Sequence, residues 1–152
     1  MEELKMEEIL VIGIAVETSN EKGKAALDIP KLWERFFSEN IGQQIPNKVS
    51  EEIIAIYTHY ESDFTGAYTT ILGCKVHNLS QIPEGMVGHK IEKQTFTKFE
   101  VKGDLTQGIV YQQWVNIWEM DLNRAYTSDF EIYRQTAQNA AEAQVDIFIA
   151  IK

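Results

Sequence analysis

A single cysteine, Cys74, leaves no internal disulfide available to this chain. The chain must hold together by packing alone, and 152 residues with 44% hydrophobic side chains are enough for a core. A lone thiol fits a reducing compartment. No cluster of His or Lys adjoins Cys74 to activate it, so its expected place is that of a small core or strand residue.

Positive charge is also scarce. Fourteen Lys and Arg stand against 23 Asp and Glu, a net charge of −9. Nucleic acid calls for a basic footprint that is missing here, so no direct nucleic-acid partner is expected. An anionic membrane surface is disfavoured for the same reason. The longest strongly apolar run, Ile9 to Val16, is far short of the roughly 20 residues that span a bilayer. The acidic opening, Met1 to Glu8, is the opposite of a signal-peptide start and reads as solvated charge. Together these features point to a cytoplasmic protein.

Signatures of metal, phosphate and nucleophile chemistry are thin. His59, His77 and His89 are scattered. His59-Tyr60-Glu61 could present two ligands on one strand face, but no third has suitable spacing, so no metal is expected. Gly85 to Gly88 lacks the Lys and the helix of a phosphate-binding loop, and no Gly-X-Ser-X-Gly elbow occurs. No cofactor is expected.

What is present is a pattern that reads twice. Ile9 to Val16 is a β-branched apolar run bounded by Thr18-Ser19-Asn20, a buried strand. From Asp28 to Phe37 the apolar residues fall at 29, 32, 33, 36 and 37, one face of a helix with Asp28 as N-cap and Pro30 in the first turn. Ile53 to Tyr60 and Tyr68 to Val76 follow as a strand pair. In the second half Gln94 to Lys102 is a strand, and Asp104 can cap a helix with apolar positions 110, 114, 117 and 118. Phe130 to Gln135 and Val145 to Ile151 are two more strands, with a helical turn conceivable over Thr136 to Gln144. The predicted fold is therefore α+β. It is one domain over 1–152 with two strand-helix-strand-strand units, about 6–78 and 85–152, related by a pseudo-two-fold axis. An antiparallel sheet with two main helices would leave a central cleft on that axis, a natural place for a ligand.

The residues that could furnish such a cleft are aromatic. Trp33, Phe36, Trp114 and Trp118 come from the helices, and Tyr57, Tyr60, Tyr68 and Tyr133 from the strands. Any one of these rings fits a place in the core. Three tryptophans at helix–strand junctions nevertheless supply more polarisable surface than such a core requires. Among them stands one carboxylate, Glu131, in Asp129-Phe130-Glu131-Ile132-Tyr133. Two readings of it are open. Asp129, Glu131, Tyr133 and Gln135 share one strand face and Phe130 and Ile132 the other, which is ordinary polar-out alternation and by itself favours solvent. Alternatively, Glu131 sits in an aromatic cleft and awaits a cation.

The chain resembles the GyrI-like small-molecule-binding family, the effector-binding domain of AraC-type and MerR-type multidrug regulators that also occurs free-standing. Within it the chain is most similar to the integron-associated effector-binding proteins. The likeness is carried by Ile56 to Ser62, Tyr68 to Gly73, Phe96 to Gly103, Trp114 to Trp118, Asp129 to Tyr133 and Val145 to Ile149, in that order. The resemblance implies the same doubled fold. It also implies that Glu131 projects into the central cleft to meet cationic aromatic compounds. Some members of the family resemble hydrolases of strained cyclopropane-bearing electrophiles that use the pocket Glu and a nearby Tyr. The DNA-binding module of the regulators has no counterpart here, and no room for one beside the complete fold is expected.

Three functions follow. The first is a receptor for cationic aromatics, with Glu131 as counter-ion and Trp33, Phe36, Tyr60, Tyr68, Trp114, Trp118 and Tyr133 as stacking surface. The second is a hydrolase using Glu131 with Tyr57 or Tyr68. The third is a regulator that docks its acidic surface on a protein partner, and a homodimer is also compatible with the sequence.

Overall fold

The strand-helix-strand-strand order is formed twice, and each copy carries an additional strand in front. The structure, a computed structural model, describes residues 2–63, 65–134 and 142–152. The first half comprises strands β1 (Glu2–Met6) and β2 (Ile9–Ser19), helix α1 (Lys24–Ser38), a short turn of helix α2 (Ile41–Gln44), and strands β3 (Ile53–Thr58) and β4 (Ala67–Lys75). The second comprises β5 (Val87–Ile91), β6 (Gln94–Gly103), α3 (Ile109–Trp118), β7 (Ser128–Tyr133) and β8 (Ala143–Ile151).

All eight strands join in one antiparallel sheet of order β1-β6-β8-β7-β3-β4-β2-β5. The order is symmetric about the β7–β3 pair, and each outward step meets the equivalent strand of the other half. The edges are exchanged: β1 pairs with β6 of the second half and β5 with β2 of the first. In the central pair Ala55 lies opposite Glu131, with Ile53 opposite Tyr133 and Tyr57 opposite Asp129. The pseudo-two-fold axis therefore passes through the Ala55–Glu131 pair.

The sheet is curled into a half-barrel. β1 and β5 are its opposite edges, yet Leu4 and Met6 of β1 and Ile91 of β5 belong to one apolar cluster with Ile54, Phe130 and Phe148. A flat sheet of this size would hold its edges roughly 33 Å apart at about 4.8 Å per strand. The other face of the sheet carries the helices. α1 packs Leu32 and Phe36 on Ile12, Ile14 and Leu72, and α3 packs Trp114 and Ile117 on Phe99, Ile147 and Ile149.

Several local expectations are corrected. The acidic N-terminus is not merely solvated charge, since Glu2–Met6 is an edge strand whose Leu4 and Met6 face the core. Val87–Ile91, unmarked in the sequence reading, is the other edge. α1 starts at Lys24, after Gly23 at φ 70°, so Pro30 lies inside the helix and Asp28 is not its cap. Asp28 instead accepts the Thr18 hydroxyl at 2.9 Å, tying α1 to β2. Asp104 caps the tight turn Leu105–Gln107 through the Thr106 amide, and Gly108 at φ 69° then opens α3. β3 ends at Thr58 because His59 turns to φ 51°. The helical turn expected over 136–144 falls mostly outside the described residues, and Ala143 and Gln144 belong to β8.

Where β2 meets β4, Gly13 faces Gly73. A methyl group on Gly73 would stand 2.1 Å from the Ile12 carbonyl oxygen, and one on Gly13 would stand 2.0 Å from that of Leu72. Both obstacles are backbone in the middle of a ladder and cannot step aside. Gly73→Ala should therefore lower unfolding stability by about 3 kcal/mol or more in a urea titration. A loss below about 1 kcal/mol would show that the two strands can part without cost.

Candidate functional site

Between α1 and α3, the central strands form the floor of a cavity of about 390 Å³. α1 contributes Ile29, Pro30 and Trp33, and α3 contributes Val110, Tyr111, Trp114 and Trp118. Pro30 has no N–H to donate to the Ala26 carbonyl one turn earlier, and both residues line the cavity.

Glu131 stands on the floor and is 1% exposed. Its strand alternates, but with both faces covered, so the polar-out reading fails: Asp129 to Ile132 are all buried. Phe130 and Ile132 point into the half-barrel cluster, while Glu131 and Tyr133 share the helix side. Three neutral donors converge on the Glu131 carboxylate. Trp114 Nε1 donates to Oε2 at 2.5 Å, while the Tyr133 and Tyr57 hydroxyls donate to Oε1 at 2.9 and 3.2 Å. Among the described residues no cation pairs with it.

The electrostatics follow from burial. Loss of solvent raises the Glu131 pKa above the usual carboxylate value, and the hydrogen bonds from Trp114, Tyr133 and Tyr57 only partly oppose this. Burial, and then the neighbouring Glu131 charge, push Tyr57 and Tyr133 well up, so both hydroxyls remain donors. Tyr68 is raised to about 12, first by burial and then by Glu131. The result is one carboxyl group held in a bowl of neutral rings.

The rings form a continuous wall. Tyr57 lies edge-on to Trp114 at 5.3 Å and to Tyr68 at 6.1 Å, and Tyr68 meets Tyr60 at 5.8 Å. Trp33 meets Tyr133 edge-on at 4.8 Å. Of the residues singled out in the sequence, Trp33, Tyr57, Tyr60, Tyr68, Trp114, Trp118, Glu131 and Tyr133 all line the cavity. Phe36 does not. It lies three residues after Trp33 in α1, is 4% exposed, and is buried against β2 and β4 instead. Of the two tyrosines named as proton donors, only Tyr57 reaches Glu131. The Tyr68 hydroxyl donates to Asn20 at 2.7 Å, and Tyr133 is the second partner of the carboxylate.

The sequence reading missed Arg124 and Asp129. Arg124 Nη2 meets Asp129 Oδ2 at 2.7 Å, and the Tyr60 hydroxyl donates to the same oxygen at 2.6 Å. The Ala150 amide donates to Oδ1 at 2.8 Å. Arg124 lies in a segment without periodicity, so no sequence signal marks it; only the fold brings it to the cavity wall.

Comparison with known proteins agrees with this architecture. YobU of Bacillus subtilis (strain 168), which carries a transcriptional-regulator name, is 29% identical over 127 residues, 82% of this chain and 79% of its own. The integron cassette protein VCH_CASS2, from the mobile metagenome of Vibrio cholerae, superposes with a TM-score of 0.75 at 27% identity. The match covers 99% of this chain and 95% of that one. SAV2435 bound to tetraphenylphosphonium shares the fold, with a TM-score of 0.81 at 16% identity over 99% of this chain and 93% of the other. The model of the Cass2 family, integron-associated effector binding protein, matches residues 4–151, and the chain belongs to that family.

Proposed function

We propose that this protein is a receptor for amphipathic, cationic aromatic small molecules, with Glu131 as the counter-ion. One observation carries the reading: a carboxylate 1% exposed, ringed by aromatic side chains and held by three neutral donors, with no cation beside it among the described residues. Removing an isolated charge from water costs several kcal/mol. Hydrogen bonds from Trp114, Tyr57 and Tyr133 reduce that cost but leave the charge in place. A ligand cation neutralises it, and each ring within reach adds on the order of 0.5–2 kcal/mol in a dry site. Membership of an effector-binding family and the tetraphenylphosphonium held by SAV2435 on the same fold support this reading.

Glu131→Gln should weaken tetraphenylphosphonium binding by about 1–3 kcal/mol in calorimetry, while neutral triphenylphosphine oxide changes little. Equal losses for both compounds would sink the counter-ion role.

The pH dependence has a definite sign. The folded protein holds the Glu131 proton more tightly than the unfolded chain does. Unliganded stability therefore falls as pH rises from the ordinary glutamate range through the raised folded pKa, and the penalty persists above it. Cation affinity runs the other way, lost as pH falls through that same raised pKa. Glu131→Gln should raise the unliganded melting temperature at neutral pH and flatten the affinity profile. An affinity profile of unchanged shape in the variant would assign the titration to another group.

A hydrolytic reading draws on the same geometry. Oε1 accepts two hydrogen bonds and Oε2 one, which leaves an acceptor position on Oε2 for a water, with the Tyr57 hydroxyl beside it. If this reading holds, incubation with a strained cyclopropane electrophile gives water addition by mass spectrometry that is abolished in Glu131→Gln. Stoichiometric binding without product rejects it.

A further inference from the structure

The cavity has a second polar end. Arg124 lines it and is 7% exposed, with one face of its guanidinium committed: Nη2 to Asp129, the plane over the Tyr126 ring at 4.4 Å. Nε and Nη1 are buried and have no hydrogen-bond partner among the described residues. Buried donors left unpaired are costly, and a guanidinium fork is built to take planar acceptors. Asp129 does not meet them in this geometry: its Oδ2 accepts Tyr60 and Nη2, and its Oδ1 accepts the Ala150 amide.

The placement relative to Glu131 is set by the strand. Asp129, which holds Arg124, and Glu131 are two residues apart on β7, about 6.6 Å along one strand. The aromatic wall connects the two ends: Trp114 bonds Glu131, Tyr57 and Tyr68 follow, and Tyr60 lies 6.0 Å from the Arg124 guanidinium. A strand step of about 6.6 Å is comparable to the span of one para-substituted ring, and that is the ligand length taken for the subsite.

Charge selects the chemistry of the second group. Glu131, Asp129 and Arg124 together carry a net charge of −1, which a single ligand cation already cancels. A ligand carboxylate at Arg124 would restore an uncompensated buried charge, whereas a carbonyl oxygen satisfies the free donors without adding one. We infer that Arg124 forms a donor subsite for a ligand oxygen, and that the preferred ligands are aromatic monocations carrying a carbonyl or amide oxygen about one ring away from the cationic centre. Asp129 and Tyr60 are positioning residues that hold the guanidinium. This inference rests on the counter-ion reading above.

Matched probes test it: benzyltrimethylammonium bearing a para-carboxamide, its para-isopropenyl isostere, and its para-carboxylate. The wild-type protein should bind the carboxamide about tenfold more tightly than the isostere, the size of one charge-assisted hydrogen bond. The carboxylate should not exceed the carboxamide. In Arg124→Met the preference should disappear. Should that variant fail to fold because Asp129 is left unpaired, Arg124→Met/Asp129→Asn removes the ion pair as a unit and should show the same loss. Glu131→Gln should weaken carboxamide and isostere alike and leave their ratio unchanged. Equal binding of the two probes by wild type, or a preference that survives loss of Arg124, overturns the subsite while leaving the counter-ion intact. A carboxylate preference overturns the charge argument. If the wild type binds tetraphenylphosphonium and these probes no better than Glu131→Gln does, the counter-ion reading fails and the subsite with it.

Discussion

The burial of one carboxylate at the centre of the sheet is the constraint around which the rest of this structure is arranged. Glu131 lies on the pseudo-two-fold axis, opposite Ala55, and is held by donors from a helix and both central strands. An ionised carboxylate in such a place needs a full set of hydrogen bonds to persist. Tyr57 of β3, Tyr133 of β7 and Trp114 of α3 provide three. The architecture thus buries a carboxyl with no cation beside it among the described residues, and the raised pKa is the physical mark of that burial.

The symmetry explains why the site is possible, and its breakdown explains why it is polar. The two-fold equates Tyr57 with Tyr133, and both donate to the same carboxylate oxygen. It also equates Ala55 with Glu131 and Ile53 with Asp129, and here the halves differ. β3 keeps a small and an apolar residue there, so of the two central strands only β7 carries buried acids. Alanine opposite Glu131 leaves space for the acid and for whatever meets it. Duplication supplies the cleft, and divergence on one strand supplies the charge.

Much of the fold was legible. The helical spacing around Trp33 and around Trp114, and the β-branched runs at 9–16, 53–60 and 145–151, correspond to real elements because period and propensity are local properties. The edge strands were not legible. Glu2–Met6 is acidic and Val87–Ile91 short, and each is a strand only because a partner from the other half offers its backbone. Phe36 shows the limit of composition. It belongs to the same helix as Trp33, but three residues on, about 60° around the helix, it faces the core instead of the cavity wall.

The sequence by itself determined the doubled order of elements, the excess of aromatic residues, and the presence of a lone acid among them. It could not decide whether Glu131 faced water or a cavity, because polar-out alternation in β7 reads identically whether the polar side is open or roofed by helices. That depended on α1 and α3 closing over the central strands, contacts made between residues remote in the chain. Only the tertiary structure left Glu131 beneath a roof of rings and placed Arg124, from a featureless stretch, beside Asp129 at the other end of the same wall.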